Sequence, residues 1–524
     1  MKRLSALLLT MALALSLCAC GGSNNTPAGN NPGANSGSGS ASPAAVKDTA
    51  ILATSGEPYR FFAQSSSSCG GDDNLVLSNV YDCLLFLEAD GSLSPALAES
   101  YDVSEDGLCY TFHLRQGVKF HNGEEMTAED VKFTFDLGFQ GPIGTALFVN
   151  FDHCDIVDDY TVNIYLSSPY AAFPYGVASR LGGIACKSYF DEVGEDGYMA
   201  NPIGTGPYKF VEYVSGDHTT LVANEDYWRG VPPIKNIVIQ TVADTNTQVL
   251  GLENGDYDVI RNPSVDVCTR FDSVDSVNWN YANSTGRIVM YMAAWRGPGL
   301  DVNFRRAVQC AINKEDISAA MYAGYAEPLV INMCSSYGAY PTVADGIKVV
   351  EYDPDAAAQY LAQSNYKGEE YTITCLSGSS METAAKVMQA QLMEIGINCK
   401  VNAVDNLTFQ SVVPDREYDG YLVNDLSSLV DADGITTHHR LDRWDSSVWY
   451  PRDEELNELF KAGRAAQGKD RIPYYVEACN IITDEAYDVP LVNDITTVAY
   501  NKDLSGVNAH CLGNYNFYYW SWNA

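Results

Sequence analysis

Positive charge is in short supply. The chain of 524 residues has 32 Lys and Arg against 67 Asp and Glu, a formal charge of −35 and a pI near 4.3. A field of that sign repels phosphate backbones and anionic headgroups, which excludes nucleic acid as a partner and any electrostatic hold on a membrane surface. Long apolar runs are also missing. The longest mostly apolar stretch, residues 4–17, has 14 residues, short of the ~20 needed to cross a bilayer core. Cysteine is present at 14 positions but never as a Cys-x-x-Cys pair or a Cys/His cluster. The adjacent His438 and His439 would point to opposite faces of a strand and lack further ligands nearby, so no metal or other cofactor is expected. HExxH, P-loop and nucleophile-elbow sequences are absent, so the chain reads as a binding protein and not as an enzyme. The 46% hydrophobic content is nevertheless that of a globular protein.

The N-terminus has Lys2 and Arg3 ahead of the short apolar stretch, a pattern that describes a secretory signal. Its end, Leu17-Cys18-Ala19-Cys20-Gly21, resembles the bacterial lipobox. That likeness implies a signal peptide over 1–19 and a lipid on Cys20. Residues 21–46 carry no charge and are rich in Gly, Ser, Asn, Pro and Ala, so a flexible linker over 20–47 is expected. A coil of these 26 residues holds the body roughly 25–30 Å from its anchor. One acyl chain binds a bilayer only marginally, so stable anchoring calls for more than one on Cys20. Losing Lys2 and Arg3 with the signal takes the formal charge from −35 to −37.

The remaining body is too long for one ordinary core, and two or three domains are expected. Tyr371, Ile373 and Cys375 alternate as on a strand. A helix capped by Ser380 follows, with Ala384, Val387, Met388, Gln391, Leu392 and Ile395 at helical spacing, and Gly396 ends it. Ile397, Cys399, Val401 and Ala403 alternate again, so the unit predicts a parallel strand pair with a helical crossover. Asp353-Pro354 opens another helix, and Thr127 with Asp130 forms a capping box. Gly204-Thr205-Gly206-Pro207 suits a tight turn where backbones cross; as a phosphate cradle it fails, because Pro207 has no N–H to donate. Phe120-His121-Asn122-Gly123 reads as a hairpin turn, with His121 in a structural role. Cys310, Cys375 and Cys399 fall at apolar positions and read equally well as small core residues or disulfide partners.

Three blocks stand out along the body. The first runs from Tyr81-Asp82 through Pro95-Ala96-Leu97-Ala98-Glu99 and Phe112-His113-Leu114-Arg115-Gln116-Gly117-Val118 to Thr127-Ala128-Glu129-Asp130-Val131. The second is Pro202-Ile203-Gly204-Thr205-Gly206-Pro207-Tyr208 with Asn224-Glu225-Asp226-Tyr227-Trp228, and the third Arg305-Arg306-Ala307 leading to Ala311-Ile312-Asn313-Lys314. In this order they resemble the large peptide/nickel class of extracytoplasmic solute-binding proteins (family 5), which serve ABC importers. The resemblance implies an α/β, two-lobed, periplasmic-binding-protein-like (type II) fold with an extra domain inserted in lobe one. Lobe one would hold 48–73, 201–270 and 492–524, the insert 74–200, and lobe two 271–491. It further implies a monomer at the outer face of the cytoplasmic membrane, working with an ABC permease and ATPase and touching the bilayer only through its lipid. An oligopeptide leads the ligand classes, ahead of a dipeptide, an oligosaccharide or a chelated metal; a surface sensor with the same fold is the other reading.

In the family's peptide binders, lobe two carries an aromatic residue followed by an aspartate that pairs with the peptide's ammonium end. Read without gaps from Tyr418-Asp419 to Asp431-Ala432-Asp433, these positions hold Asp425 and Ser428. Asp425 is therefore a candidate carboxylate for a cationic or hydroxyl-bearing ligand, or a residue that faces solvent or caps a turn. Trp444, Trp449, Tyr450, Trp295 and Tyr59 are the aromatic candidates for the cleft. A Cys20→Ala chain is expected to lose membrane attachment and solute uptake while keeping wild-type solute affinity, as checked by cell fractionation, uptake and titration; weakened binding would contradict the separation of anchor and site.

Overall fold

The computed structural model describes residues 47–64, 71–88, 91–141, 144–335, 337–412, 416–427, 429–438 and 453–523. Ten strands form one mixed sheet. In spatial order they are Cys399–Val404, Tyr371–Leu376, Gly420–Leu426, Val277–Met292, Asp488–Asn501, Val259–Arg261, Thr49–Thr54, Asn236–Thr241, His218–Ala223 and Tyr208–Val214. Two central strands are unusually long, 16 and 14 residues, and pair antiparallel. The first half of Val277–Met292 pairs with the end of Asp488–Asn501 beside Val259–Arg261, and its second half pairs with Gly420–Leu426. Between the halves the ladder breaks. Asn283 faces Ile495 and Arg287 faces Asn493, so Ser284, Thr285 and Gly286 stand opposite Asp494 alone. Such a bulge bends a strand and re-aims its side chains.

The expected strand–helix–strand unit is present. Tyr371–Leu376 and Cys399–Val404 pair in parallel, and helix Ser380–Glu394 crosses between them with Ala384, Met388 and Leu392 fully buried. Its N-cap is Ser379 and not Ser380, a one-residue correction. Gly396 takes φ +92°, the left-handed conformation that glycine adopts without a Cβ clash. Asp353 caps Pro354–Gln363 by accepting from the Ala356 N–H at 2.8 Å. Residues within 74–200 build a separate four-stranded antiparallel sheet, in the order Ala98–Val103, Cys109–Leu114, Thr161–Leu166 and Phe151–Asp158. Helix Ala128–Gln140, with its Thr127/Asp130 capping box, contributes buried Val131 and Phe135. The core of this segment is continuous with that of the large sheet, one cluster joining Phe112 and Ile164 to Leu52, Ile237 and Trp520. The eleven cysteines among the described residues are all free thiols; Cys375 and Cys399 are buried and Cys310 is partly so.

Local turn chemistry explains the Gly-Pro block. A Cβ on Gly204 would lie 2.2 Å from the Val80 carbonyl oxygen, and one on Gly206 2.5 Å from that of Asn79, so only glycine lets these backbones cross. His121 ties the hairpin turn to this crossing. One ring nitrogen accepts from the Gly204 N–H at 3.3 Å, and the other lies 3.0 Å from the Gly206 carbonyl and donates to it. Asn79 holds the C-terminal return in the same region, donating to the Tyr515 carbonyl at 2.7 Å and accepting from the Phe517 N–H at 2.9 Å.

Burial pushes the His121 imidazole down to about 4. Below the ordinary histidine pKa of ~6.5 the unfolded chain therefore binds a proton that the native state refuses. This contribution to stability is complete above pH 6.5 and is lost as pH falls toward 4. His121→Gln is expected to flatten the acid limb of a stability–pH profile by roughly 2 kcal/mol, read from denaturant midpoints at pH 7 and pH 4.5; an unchanged slope would contradict the buried neutral ring.

Candidate functional site

A cavity of 570 Å³ opens where the two long strands pass the bulge. That volume lies within the ~300–1,000 Å³ of small-molecule sites. Its walls come from both sides of the bulge: Arg261 and Thr496 from one, Tyr322 and Asn424 from the other, with Asn74 and Arg180 from the inserted segment. A groove of 580 Å³ along helix Ile472–Asp484, closed on its other side by Asp345 and Lys348, is as large but lies open at the surface.

The polar groups of the cavity are distinctive. Asp494 accepts from the Tyr322 hydroxyl at 2.5 Å on one oxygen and from the Asn424 amide at 2.9 Å on the other. Burial raises its pKa, and the Tyr322, Asn424 and Ser284 side chains and the Ile495 N–H oppose the rise. A Cβ on Gly286 would lie 2.6 Å from the Asn424 Oδ1 and 2.9 Å from the Asp494 Oδ2, so a glycine at the bulge makes room for both side chains. Arg261 pairs with Asp72 and donates to the Gly513 carbonyl at 3.3 Å. The Oδ1 atoms of Asn74, Asn424 and Asn514, three residues of the cavity wall, are buried without a hydrogen-bond partner. Each such orphan acceptor costs about 1–3 kcal/mol. Among the described residues no group of three His, Cys, Asp or Glu side chains could hold a metal ion.

The candidates read from the sequence sit elsewhere. On strand Gly420–Leu426 successive side chains alternate between faces, so Asn424 and Leu426 line the cavity and Asp425 turns away from it. Asp425 is buried against Arg287 and accepts from the Tyr291 hydroxyl at 2.6 Å. It neither faces solvent nor caps a turn, and its charge is spent inside the protein. Trp295 packs edge-on to Tyr418 under the Arg416 guanidinium, 4.0 Å from its ring, and Tyr59 is a surface residue stacked with Arg60; neither lines the cavity. Ser428, Trp444, Trp449, Tyr450, His439 and Cys20 lie outside the described residues. Asp494, Asn424 and Tyr322 were missed. The sequence signal for Asp494 is an acidic residue that follows Asn493 directly after the apolar run Val489-Pro490-Leu491-Val492.

Removing Asp425 leaves the buried Arg287 guanidinium without its counter-charge. Asp425→Ala is expected to destabilise the fold by about 3–5 kcal/mol, visible as a lower denaturant midpoint. A variant of wild-type stability that lost only solute affinity would return Asp425 to the binding site.

Comparison with known proteins matches this architecture. Residues 92–446 match the family model described as bacterial extracellular solute-binding proteins, family 5 Middle. The glutathione-binding protein GsiB of Pectobacterium atrosepticum is 30% identical over 383 residues, covering 69% of this chain and 70% of that protein. Di/tripeptide-binding protein 2 of Pseudomonas aeruginosa is 26% identical over 461 residues, 80% of this chain and 85% of its own. The ABC transporter substrate-binding protein CtaP of Listeria monocytogenes shares the two-lobed type II fold, with a TM-score of 0.83 at 24% identity over 91% of this chain and 100% of that structure. By the extent of the family match and the shared fold, this chain belongs to the bacterial extracellular solute-binding proteins of family 5.

Proposed function

We propose that this protein is the solute-capturing component of an ABC importer and that its solute is a short peptide, taken up in the cavity between the lobes and handed to a membrane permease. The observation that carries this reading is the cavity itself. It has a small-molecule volume of 570 Å³ and is walled from both sides of the strand crossing by hydrogen-bonding side chains, Arg261 and Thr496 on one side and Tyr322 and Asn424 on the other. A peptide backbone supplies N–H donors and carbonyl acceptors for such groups at regular spacing. Relatives named for binding glutathione and di- or tripeptides support the same class. The lobes would move about residues 284–286 and 494, where the ladder is interrupted, a location that supports hinge closure. On this reading the lobes meet at the bulge in the first long strand. The chain acts as a binding protein without turnover, a monomer held to the outer face of the cytoplasmic membrane through a lipid on Cys20.

Native mass spectrometry of the purified protein, before and after incubation with a defined mixture of short peptides, tests the reading. A retained or captured peptide is the expected result. Exclusive capture of an oligosaccharide or a metal chelate would overturn it. Uptake measured with and without the gene separates import from sensing, and import requires that uptake of the captured peptide be lost with the gene.

A further inference from the structure

Two of the segments that line the cavity run on past it and meet again. Ser179 and Arg180 line it just after the stretch of chain that carries Tyr170, Ala171 and Tyr175, and Leu426 and Ser427 line it just before Asp433. Where the segments meet, the Tyr170 hydroxyl donates to Asp433 at 2.9 Å and the Ala171 N–H donates to the Arg464 carbonyl at 3.0 Å. Tyr175 reaches Gly338, which is hydrogen-bonded to Val430 and Ala432; a Cβ on Gly338 would lie 2.2 Å from the Tyr175 hydroxyl oxygen. We propose that this contact is a latch, made when the cleft is closed over its solute and broken when it opens, so that the Tyr170 hydroxyl sets how long a solute is held. This rests on reading the cavity as the solute cleft and the bulge as its hinge.

The chemistry of the contact suits one that is made and broken. Both ion pairs beside it lie on a single side of the seam, Asp433 with Arg464 at 2.7 and 2.9 Å and Asp431 with Arg471 at 2.6 and 2.7 Å. Parting the segments therefore separates neither charge from its partner, the step that is heavily penalised. The Tyr170 hydroxyl and the Ala171 N–H are neutral donors that water satisfies once the segments part. Both halves are also fixed beforehand. The Tyr110 hydroxyl donates to the Tyr170 carbonyl at 2.9 Å on one side, and the Asp433 N–H donates to Asp431 at 2.8 Å on the other. The apolar packing divides along the same seam. Tyr170, Ala172 and Phe173 belong to the core of the small sheet, whereas Val430, Ala432 and Phe460 belong to a core around Tyr291, with Tyr175 touching both. Burial, with the Asp433 charge beside it, holds the Tyr170 hydroxyl far above its ordinary pKa, so it remains a donor.

The test is hydrogen exchange at the Ala171 amide in the full-length protein and in Tyr170→Phe, with thermal melts of both and stopped-flow release of trialanine as the probe solute. The substitution removes the hydroxyl and leaves the Asp433–Arg464 pair in place. In the variant the Ala171 amide is expected to exchange roughly 10- to 150-fold faster, the range for a hydrogen bond to a charged group. Amides of strand Cys109–Leu114 should keep their wild-type rates, and the melting temperature should be nearly unchanged. Trialanine should slow exchange at Ala171 in the wild type and leave the variant faster than the wild type by a similar factor. An unchanged Ala171 rate in a folded Tyr170→Phe would overturn the latch. Acceleration at Ala171 and along Cys109–Leu114 together, with a lower melting temperature, would also overturn it, since the contact would then be a permanent joint of the fold. Trialanine that binds and leaves both proteins at the same rate would overturn the hold on solute while keeping the peptide reading. Selective acceleration at Ala171 with no trialanine bound would uphold the latch and count against that reading.

Discussion

The antiparallel pairing of Val277–Met292 with Asp488–Asn501 joins the two halves of the large sheet, and the position of the cavity follows from how that pairing is broken. At the break three residues of one strand oppose one of the other, which leaves backbone groups that the ladder cannot satisfy. They are satisfied from elsewhere. The Thr285 N–H donates to the Cys511 carbonyl at 3.1 Å, the Thr285 carbonyl accepts from the Ser427 N–H at 3.3 Å and the Tyr337 hydroxyl at 2.8 Å, and the Gly286 N–H donates to the Ser284 hydroxyl at 2.9 Å. The bulge is thus pinned by Cys511 on one side and by Ser427 and Tyr337 on the other. A regular ladder would have left no room for Asp494 and Asn424 to meet over the neighbouring strand.

A chain with so few cations uses several of them inside. Arg287 is buried with Asp425, Arg471 makes a two-pronged contact with Asp431 at 2.6 and 2.7 Å, and Arg464 makes another with Asp433 at 2.7 and 2.9 Å. Buried pairs of this kind add little net stability over an apolar core, but leaving either partner alone is heavily penalised. The Asp433 pair also reaches the inserted segment, since the Tyr170 hydroxyl donates to Asp433 at 2.9 Å and the Ala171 N–H to the Arg464 carbonyl at 3.0 Å. The segment around Tyr170 is thus joined to the Asp433–Arg464 ion pair.

Much of the local structure was legible from the residues. The strand–helix–strand unit, the capping box at Thr127, the Asp353 cap and the backbone crossing at Gly204 and Gly206 each depend on interactions within a few residues or on a missing side chain. His121 could be assigned a structural role, although its partners lie 83 and 85 positions away. Arg305 and Arg306 of the family block turn out to brace the chain, donating to the carbonyls of Glu485 and Asp484. Asp425 stands one residue from Asn424 on the same strand, and one residue on a strand is the difference between the core and the cavity.

By itself, the sequence determined the class of protein, the α/β pattern, the absence of an apolar run long enough to span a bilayer, and the turns where only glycine fits, because each depends on composition or on short-range geometry. Only the tertiary structure decided which side chains meet at the cavity. Asn74, Arg261, Asn424, Asp494 and Asn514 line one wall system although they are scattered along the chain, and no local rule relates them. The physical reason is the strand crossing: its register and its bulge select which of two faces each residue presents, and register is a property of the paired strands that neither strand contains alone.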